Sequence, residues 1–120
     1  MDIEIYRNYC ISKKGVTESF PFPRLPNLLV FKVADKMFTA TDITTFESIS
    51  LQCKTELIDE LRAEYSAISK HKYFSERHWN LVFMDNSIAD KILFEWIDNS
   101  YELVVTKLPK KTQTEFKSGS

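Results

Sequence analysis

The sequence predicts one α+β domain in two layers, a largely antiparallel sheet of about five strands with helices packed on one face. Three observations predict it. Apolar residues recur at the helical period near both ends and in the middle of the chain, and at a period of two in between. The strand-like segments follow one another at spacings short enough for hairpins, which join antiparallel neighbours. A chain of 120 residues with 43% hydrophobic residues suits a single core.

The chain opens with a predicted helix over roughly residues 2–13. Asp2 can accept a hydrogen bond from a first-turn N–H group and so cap the helix, and Cys10 lies on the apolar stripe that is predicted to face the core. A short segment with Phe20 and Phe22 on one face follows. Because the two prolines beside Phe22 cannot donate ladder hydrogen bonds, this segment is predicted to be an edge strand or an irregular arm.

Alternation then predicts strands over residues 28–33 and 37–41, joined by a hairpin. Ala34 and Asp35 are poor residues for the positive φ angles of a two-residue turn, so the hairpin is predicted to be one or two residues longer. The next alternating segment ends at Cys53, which is predicted to be interior.

Two further helices are predicted around a strand that organises the fold. Thr55 is the predicted N-cap of the second helix, whose apolar stripe is predicted to extend to Ile68. Ser87 and Asp90 resemble a capping box for the third helix, and its period repeats after a possible restart at Ser100. The apolar stripes comprise Leu57, Leu61, Tyr65 and Ile68 in the second helix, and Ile88, Ile92, Leu93, Trp96, Ile97, Tyr101, Val104, Val105 and Leu108 in the third.

The organising strand lies within Lys72–Asp85. Trp79, Leu81 and Phe83 share one face, and Val82 makes the end of the strand apolar on both faces, which predicts a place inside the sheet. Trp79 is predicted to be core rather than a stacking platform.

Composition favours a cytoplasmic protein with free thiols. No apolar segment is long enough to span a membrane, no signal pattern precedes the first helix, and the two cysteines have no metal-ligand spacing. The net charge of −1 gives no overall attraction to nucleic acid. We expect a single domain over residues 1–111, a flexible tail over 112–120, no cofactor or metal, and a monomer or weak homodimer.

The chain resembles the MmcQ/YjbR family of small bacterial proteins over about residues 2–111. The motifs that carry the resemblance are G-V-T-E-S-F-P-F, V-F-K-V-A-D-K-M-F, S-I-S-L-Q-C, R-H-W-N-L-V and S-Y-E-L-V-V followed by L-P-K-K. The resemblance implies a compact sheet with helices packed on it, in a class shared with type III secretion chaperones. For this family the fold is described as a double-wing DNA-binding arrangement.

The leading functional hypothesis is DNA binding through a basic face, because cations release counterions from phosphate and an aromatic ring can stack on a base. The candidate residues are Lys32, Lys36, Lys70, Lys72, Tyr73, Arg77, His78, Lys110 and Lys111.

The alternative is an interaction or chaperone-like module, in which exposed sheet or groove surface between the helices and the hairpin holds a peptide, a protein partner or a second copy of the chain. Catalysis is not expected, because a cysteine paired with His71 or His78 would be the only nucleophilic combination and both cysteines fall on predicted inward faces.

Overall fold

The structure, a computed structural model, describes residues 1–115. It confirms the predicted α+β class. The elements, in chain order, are α1 (Ile3–Ile11), β1 (Val16–Ser19), β2 (Leu28–Val33), β3 (Lys36–Asp42), β4 (Ser48–Gln52), α2 (Thr55–Glu64), β5 (Ile68–Lys70), β6 (Trp79–Phe83), α3 (Asp90–Thr106) and α4 (Lys110–Gln113).

All six strands form one antiparallel sheet in the order β1-β2-β3-β4-β6-β5. The strand β6 lies between β4 and β5, inside the sheet as its two-sided apolar end predicts. The edge strand β1 is also confirmed, although it ends at Ser19 and leaves Phe20 and Phe22 beyond it.

Strand register separates the two faces of the sheet. Leu29, Ile49, Val82 and Ile68 lie in one cross-strand row and belong to the core beneath the helices. The helices supply the other half of this core, mainly through buried side chains of α1 and α3. Its helical members are Tyr6, Cys10, Leu93, Ile97, Tyr101, Val104 and Val105.

Within residues 1–115 no helix packs on the opposite face, yet its central row is also covered. Val30, Ala40 and Ser50 are buried there although no helix reaches them. The irregular arm after β1 and the loop after β5 meet over this face, where the rings of Phe22 and Phe74 are 6.1 Å apart. The sheet therefore has a helix layer on one side and a thin loop layer on the other.

Trp79 belongs to the loop layer. It is 7% exposed and its ring lies 5.0 Å from that of Phe74. The prediction that Trp79 is buried is confirmed. However, the residues of β6 that face the helices are Asn80 and Val82, because side chains alternate along the strand.

The β2–β3 hairpin corrects the prediction of a longer loop. Only Ala34 and Asp35 separate the strands, and their φ angles are 49° and 63°. Both residues occupy the left-handed region that a two-residue turn with right-handed strand twist requires. The strand pairing on either side stabilises this turn despite the poor residue at Ala34.

A bulge in the same hairpin is compensated by α3. Pairing shifts between Phe31 and Lys32, so Phe38 is left over in β3. Ser100, fully buried on α3, donates through Oγ to the Phe38 carbonyl at 2.5 Å and accepts from the Gln52 N–H at 2.9 Å. The predicted restart at Ser100 is wrong, since α3 is continuous there.

Several local predictions of caps are also settled. Asp2 caps α1 as predicted and accepts from the Ile5 N–H at 2.9 Å. Thr55 is instead the first residue of α2, after Lys54, and α3 begins after Ala89 rather than at a capping box on Ser87. Ser87 donates from its N–H group and its Oγ atom to the Asp85 carboxylate in the preceding turn. This local bond takes the place of the predicted cap of α3.

Three other predictions concern burial and extent. Ile68 lies in β5 and not on the helical stripe, because α2 ends at Glu64. Cys53 is half-buried rather than interior, since β4 ends one residue before it. The predicted domain boundary at 111 falls within α4, and residues 116–120 of the predicted tail lie outside the described part of the chain.

Candidate functional site

The helix layer contains an open groove of about 410 Å³ between α2 and α3, here called the helix groove. Its floor is the sheet, at Leu51, Ile68 and Val82, and its walls are apolar side chains of the two helices. Leu57 on the α2 wall is 43% exposed, so a large apolar side chain faces open space. The main wall residues are Leu57, Leu61, Trp96 and Leu103.

One polar side chain stands in this apolar floor. Asn80 is only 3% exposed, and its Oδ1 atom accepts from Arg62 Nε at 2.7 Å. Arg62 is itself largely buried and also donates to the carbonyls of Glu76 and Trp79. Arg62 therefore attaches α2 to the start of β6 and holds the Asn80 side chain in one orientation.

The rim of the helix groove carries more acidic than basic side chains. Glu102 lines it directly, and so does one cation, Lys54, just before α2. Glu60 and Glu64 follow the wall leucines of α2 by one helical turn, and Glu95 precedes Asn99 of α3 by one turn, so these carboxylates flank the opening. Each helix carries four carboxylates against one basic residue. The groove is thus apolar inside, and the helices that flank it carry more carboxylates than cations.

The thiols offer no activated nucleophile. Burial raises the pKa of the Cys10 thiol far above its ordinary value, and the side chain is fully enclosed. Burial also raises the pKa of Cys53, with the nearby Arg62 charge opposing this effect only in part. Both residues are therefore neutral thiols at neutral pH.

A second concavity of about 300 Å³ lies on the loop side of the sheet, here called the sheet-face cleft. Arg24 and Lys72 on its walls oppose Asp42 and Glu47, so the cleft carries both signs of charge. His71 forms part of its floor. Burial lowers the pKa of His71 to about 4, so the ring is neutral at pH 7.

The hydrogen bonds of His71 fix its tautomer. Nδ1 accepts from the N–H groups of Tyr73 and Phe74, both at 3.1 Å. Nε2 must therefore carry the proton of the neutral ring, and it donates to Ser50 Oγ at 2.6 Å. A histidine that activates a serine has to accept its proton instead. The Ser50–His71 pair consequently holds the loop on the sheet and is not arranged as a catalytic dyad.

The structure brings five of the predicted basic residues to one end of the sheet. Lys32 and Lys36 flank the β2–β3 turn, Lys70 ends β5, and Arg77 and His78 precede β6. Strand register places these positions at the same end. Two of them have other partners: Lys70 lies 3.9 Å from a Glu76 carboxylate oxygen, and His78 Nδ1 lies 3.5 Å from Thr55 Oγ1.

The other four predicted residues lie elsewhere. Lys72 and Tyr73 are in the wall of the sheet-face cleft, and Tyr73 is 68% exposed. Lys110 and Lys111 begin α4, beyond the end of α3. The predicted set is therefore spread over three surfaces.

The residues of the helix groove were not predicted as functional. The stripes that contain Leu57 and Trp96 have the helical apolar periodicity that is typical of core-facing helices. One signal was present: Arg62 follows Ile58 by four residues, which places a cation on the buried side of a helix. Whether two helices meet or leave a gap depends on packing and has no local pattern in the sequence.

Two absences are relevant to function. Within residues 1–115, no cluster of side chains has the composition of a metal site. In the same range, no helix combines the length and apolar character needed to cross a bilayer.

The chain is similar to the members of a known sequence family. A family model described as YjbR matches residues 11–103. The Uncharacterized protein YjbR of Escherichia coli strain K12 is 27% identical over 112 residues, which cover 92% of this chain and 93% of the relative. The Uncharacterized protein YbdF of Escherichia coli O157:H7 is 25% identical over 112 residues, covering 88% and 92%.

Solved structures show the same fold. The crystal structure of Deinococcus radiodurans protein DR2400 superposes with a TM-score of 0.88 at 29% identity, covering 99% of this chain and 94% of that one. A crystal structure of a Pseudomonas syringae protein has a TM-score of 0.73 at 22% identity, covering 86% and 98%. The first of these likenesses extends over almost the whole chain, and the second bears on the fold alone.

Proposed function

The chain belongs to the YjbR family, and on that premise we propose that it is a non-catalytic binding protein whose helix groove takes an amphipathic, cationic helix of a partner protein. The observation that carries the proposal is the groove itself, an apolar channel between two helices that exposes Leu57. Amphipathic helices bind such channels by laying their apolar face into them.

The dimensions of the groove suit this occupant. A volume of about 410 Å³ accommodates a few large apolar side chains. The wall helix α2 has 10 residues, hence about 15 Å of length. A bound helix of two to three turns would match that length and present two or three apolar anchors.

Charge complementarity selects the sign of the partner. The carboxylates that flank the opening favour lysine and arginine on the outer face of a bound helix. The same carboxylates repel a phosphate backbone, so this surface supports a protein ligand rather than a nucleic acid.

The absence of catalysis in this proposal rests on three side chains. Cys10 is enclosed and Cys53 is a neutral thiol. Ser50 accepts, and does not donate, in its bond with His71. None of the three is thereby equipped to attack a substrate.

Titration with a designed peptide tests the proposal. The probe is a helical peptide of about 14 residues, with leucines along one face and lysines on the other. We expect saturable binding with a Kd of about 1–100 µM. In nitrogen-15 NMR spectra the indole N–H signal of Trp96, in the groove wall, should shift, while that of Trp79, on the other face of the sheet, should stay.

Matched variants define the surface. Leu57→Lys should weaken binding at least tenfold, whereas Ile43→Lys, which alters a side chain of similar exposure outside the groove, should not. A peptide with glutamates in place of its lysines should bind more weakly. Equal shifts of both indoles, or no shift at all, would contradict the proposal. A Trp96 shift on raising the protein concentration alone would identify a second copy of the chain as the occupant.

DNA binding is a second candidate function, which one observation favours. Lys32, Lys36, Lys70, Arg77 and His78 lie at one end of the sheet. Cationic side chains on a hairpin and an adjacent loop can contact successive phosphates, as the double-wing description of the family implies.

The salt dependence of duplex binding tests this second function. Three or four phosphate contacts imply a log–log slope of about −3 to −4 against salt for a random duplex. The double variant Lys36→Ala with Arg77→Ala should flatten the slope by about two, and the matched variant Lys14→Ala with Lys91→Ala should not. No binding at low ionic strength with tens of micromolar protein would remove this function.

A further inference from the structure

From the floor of the helix groove we infer that Asn80 is a specificity-determining residue, which requires a hydrogen-bond acceptor on the apolar face of the bound partner. This inference rests on the proposed function and adds the chemistry that distinguishes one amphipathic helix from another. It begins from Asn80, a buried polar side chain in the groove floor.

Arg62 determines which end of the Asn80 amide faces the groove. A guanidinium group has only donors, so its bond from Nε can be received only by the Oδ1 atom of Asn80. The amide is thereby oriented with its Nδ2 group away from Arg62. Arg62 also donates to two backbone carbonyls, so its side chain cannot change conformation without losing these bonds.

The Nδ2 group of Asn80 is an unused donor. Within residues 1–115 it has no hydrogen-bond partner, while no fully enclosed side-chain nitrogen or oxygen in that range lacks one. The Nδ2 group must therefore reach the open space of the groove, which Asn80 lines. The residue is only 3% exposed, and among the described cavities it lines the groove.

An occupant that filled the groove with hydrocarbon alone would leave the Asn80 NH₂ donor without a hydrogen-bond partner. A buried donor without a partner loses its hydration and gains nothing in return. The preferred occupant therefore carries a carbonyl-type oxygen among its apolar anchors, such as the side chain of glutamine or asparagine. The contact to the Arg62 guanidinium polarises the Asn80 amide and strengthens it as a donor.

The test uses two peptides that differ by one oxygen atom. The cationic helical peptide described above carries at its central apolar position either methionine or methionine sulfoxide, which has an acceptor and no added donor. The protein is compared with its Asn80→Asp variant, which keeps an oxygen for Arg62 and puts a carboxylate oxygen, an acceptor, in place of the NH₂ donor. We expect the preference for sulfoxide over methionine to be about tenfold greater in the wild type than in the variant.

A direct signal is available without any substitution. The side-chain NH₂ protons of Asn80 in the wild-type protein should shift downfield with the sulfoxide peptide and little with the methionine peptide. This measurement keeps the inference testable if Asn80→Asp fails to fold.

The outcomes separate the two proposals. If both peptides bind and shift Trp96, but with the same ratio of Kd values in wild type and variant, Asn80 does not determine specificity and the groove proposal stands. If neither peptide binds the wild type, the groove proposal itself falls.

Discussion

The two tryptophans of this protein lie in different layers, one in the loop layer and the other in the helix layer, and they differ in burial. Trp79 lies in the loop layer, packed on Phe74 and His71, whereas Trp96 is partly buried in the wall of the helix groove. A partner could therefore reach Trp96 without disturbing the fold.

The two tryptophans should respond differently to truncation. Trp79→Ala is expected to lower the free energy of unfolding by about 3–5 kcal/mol, because it empties an enclosed site. Trp96→Ala, which removes a partly solvated ring, should cost less than half as much. Urea denaturation of both variants measures the difference. Equal losses would mean that the groove is closed and that Trp96 is core.

His71 should make stability depend on pH. Burial lowers its pKa from 6.5 to about 4 in the folded protein, so the unfolded chain binds the proton more readily between these values. The stabilisation is complete above pH 6.5 and is lost as the pH falls toward 4. With allowance for partial solvent exposure, the loss from pH 7 to 4.5 is about 1–2 kcal/mol.

The variant His71→Asn isolates this effect from other acid-sensitive groups. Charged residues that share the cleft with His71, namely Arg24, Lys72, Asp42 and Glu47, are present in both proteins. The wild type should lose more stability than the variant over the same pH interval in urea denaturation. Parallel pH profiles of wild type and variant would show that the pKa of His71 is not lowered in the folded protein.

At the scale of elements, the β2–β3 hairpin shows how neighbouring pairing overrides a local preference. The turn places Ala34, whose Cβ atom disfavours positive φ, at a φ of 49°. An L-residue in this region costs about 1–2 kcal/mol, and the ladders on both sides offset that cost.

Glycine at this turn should therefore stabilise the protein. Ala34→Gly is expected to raise the free energy of unfolding by about 0.5–1 kcal/mol, since glycine adopts positive φ without steric cost. The control Ala63→Gly, on an exposed part of α2, should lower it by about 1 kcal/mol through reduced helix propensity. A loss of stability in Ala34→Gly would contradict a two-residue turn.

At the scale of the whole molecule, both layers depend on one sheet. The helix layer packs on the row that contains Ile49 and Val82, and the loop layer on the row that contains Ser50 and Leu81. Neither layer has a sheet of its own, so we expect them to unfold together.

Tryptophan fluorescence in urea can test this cooperativity. Trp79→Phe leaves a reporter in the helix layer and Trp96→Phe leaves one in the loop layer. Within each variant, fluorescence and circular dichroism should give the same midpoint, with a slope of about 1–2 kcal/mol per molar urea. A fluorescence transition that precedes the loss of secondary structure in either variant would show that its layer unfolds separately.

Much of the architecture was readable in the sequence because it depends on local periodicity. The period-two segments around Ile49 and Val82, the helical stripe through Leu93 and Ile97, and the cap at Asp2 report interactions between residues close in the chain. The short spacings between the strands extended this to an antiparallel sheet with helices on one face, which the family motifs also imply.

The groove and the orientation of Asn80 were decided only by the tertiary structure. The sequence shows that Leu57 and Trp96 lie on apolar stripes, but not that α2 and α3 stand apart over the sheet and leave those side chains facing a gap. In the same way, Asn80 and Arg62 are 18 residues apart, and their bond exists because β6 passes beneath α2. Such features depend on the distances between packed elements, which no local pattern of residue types encodes.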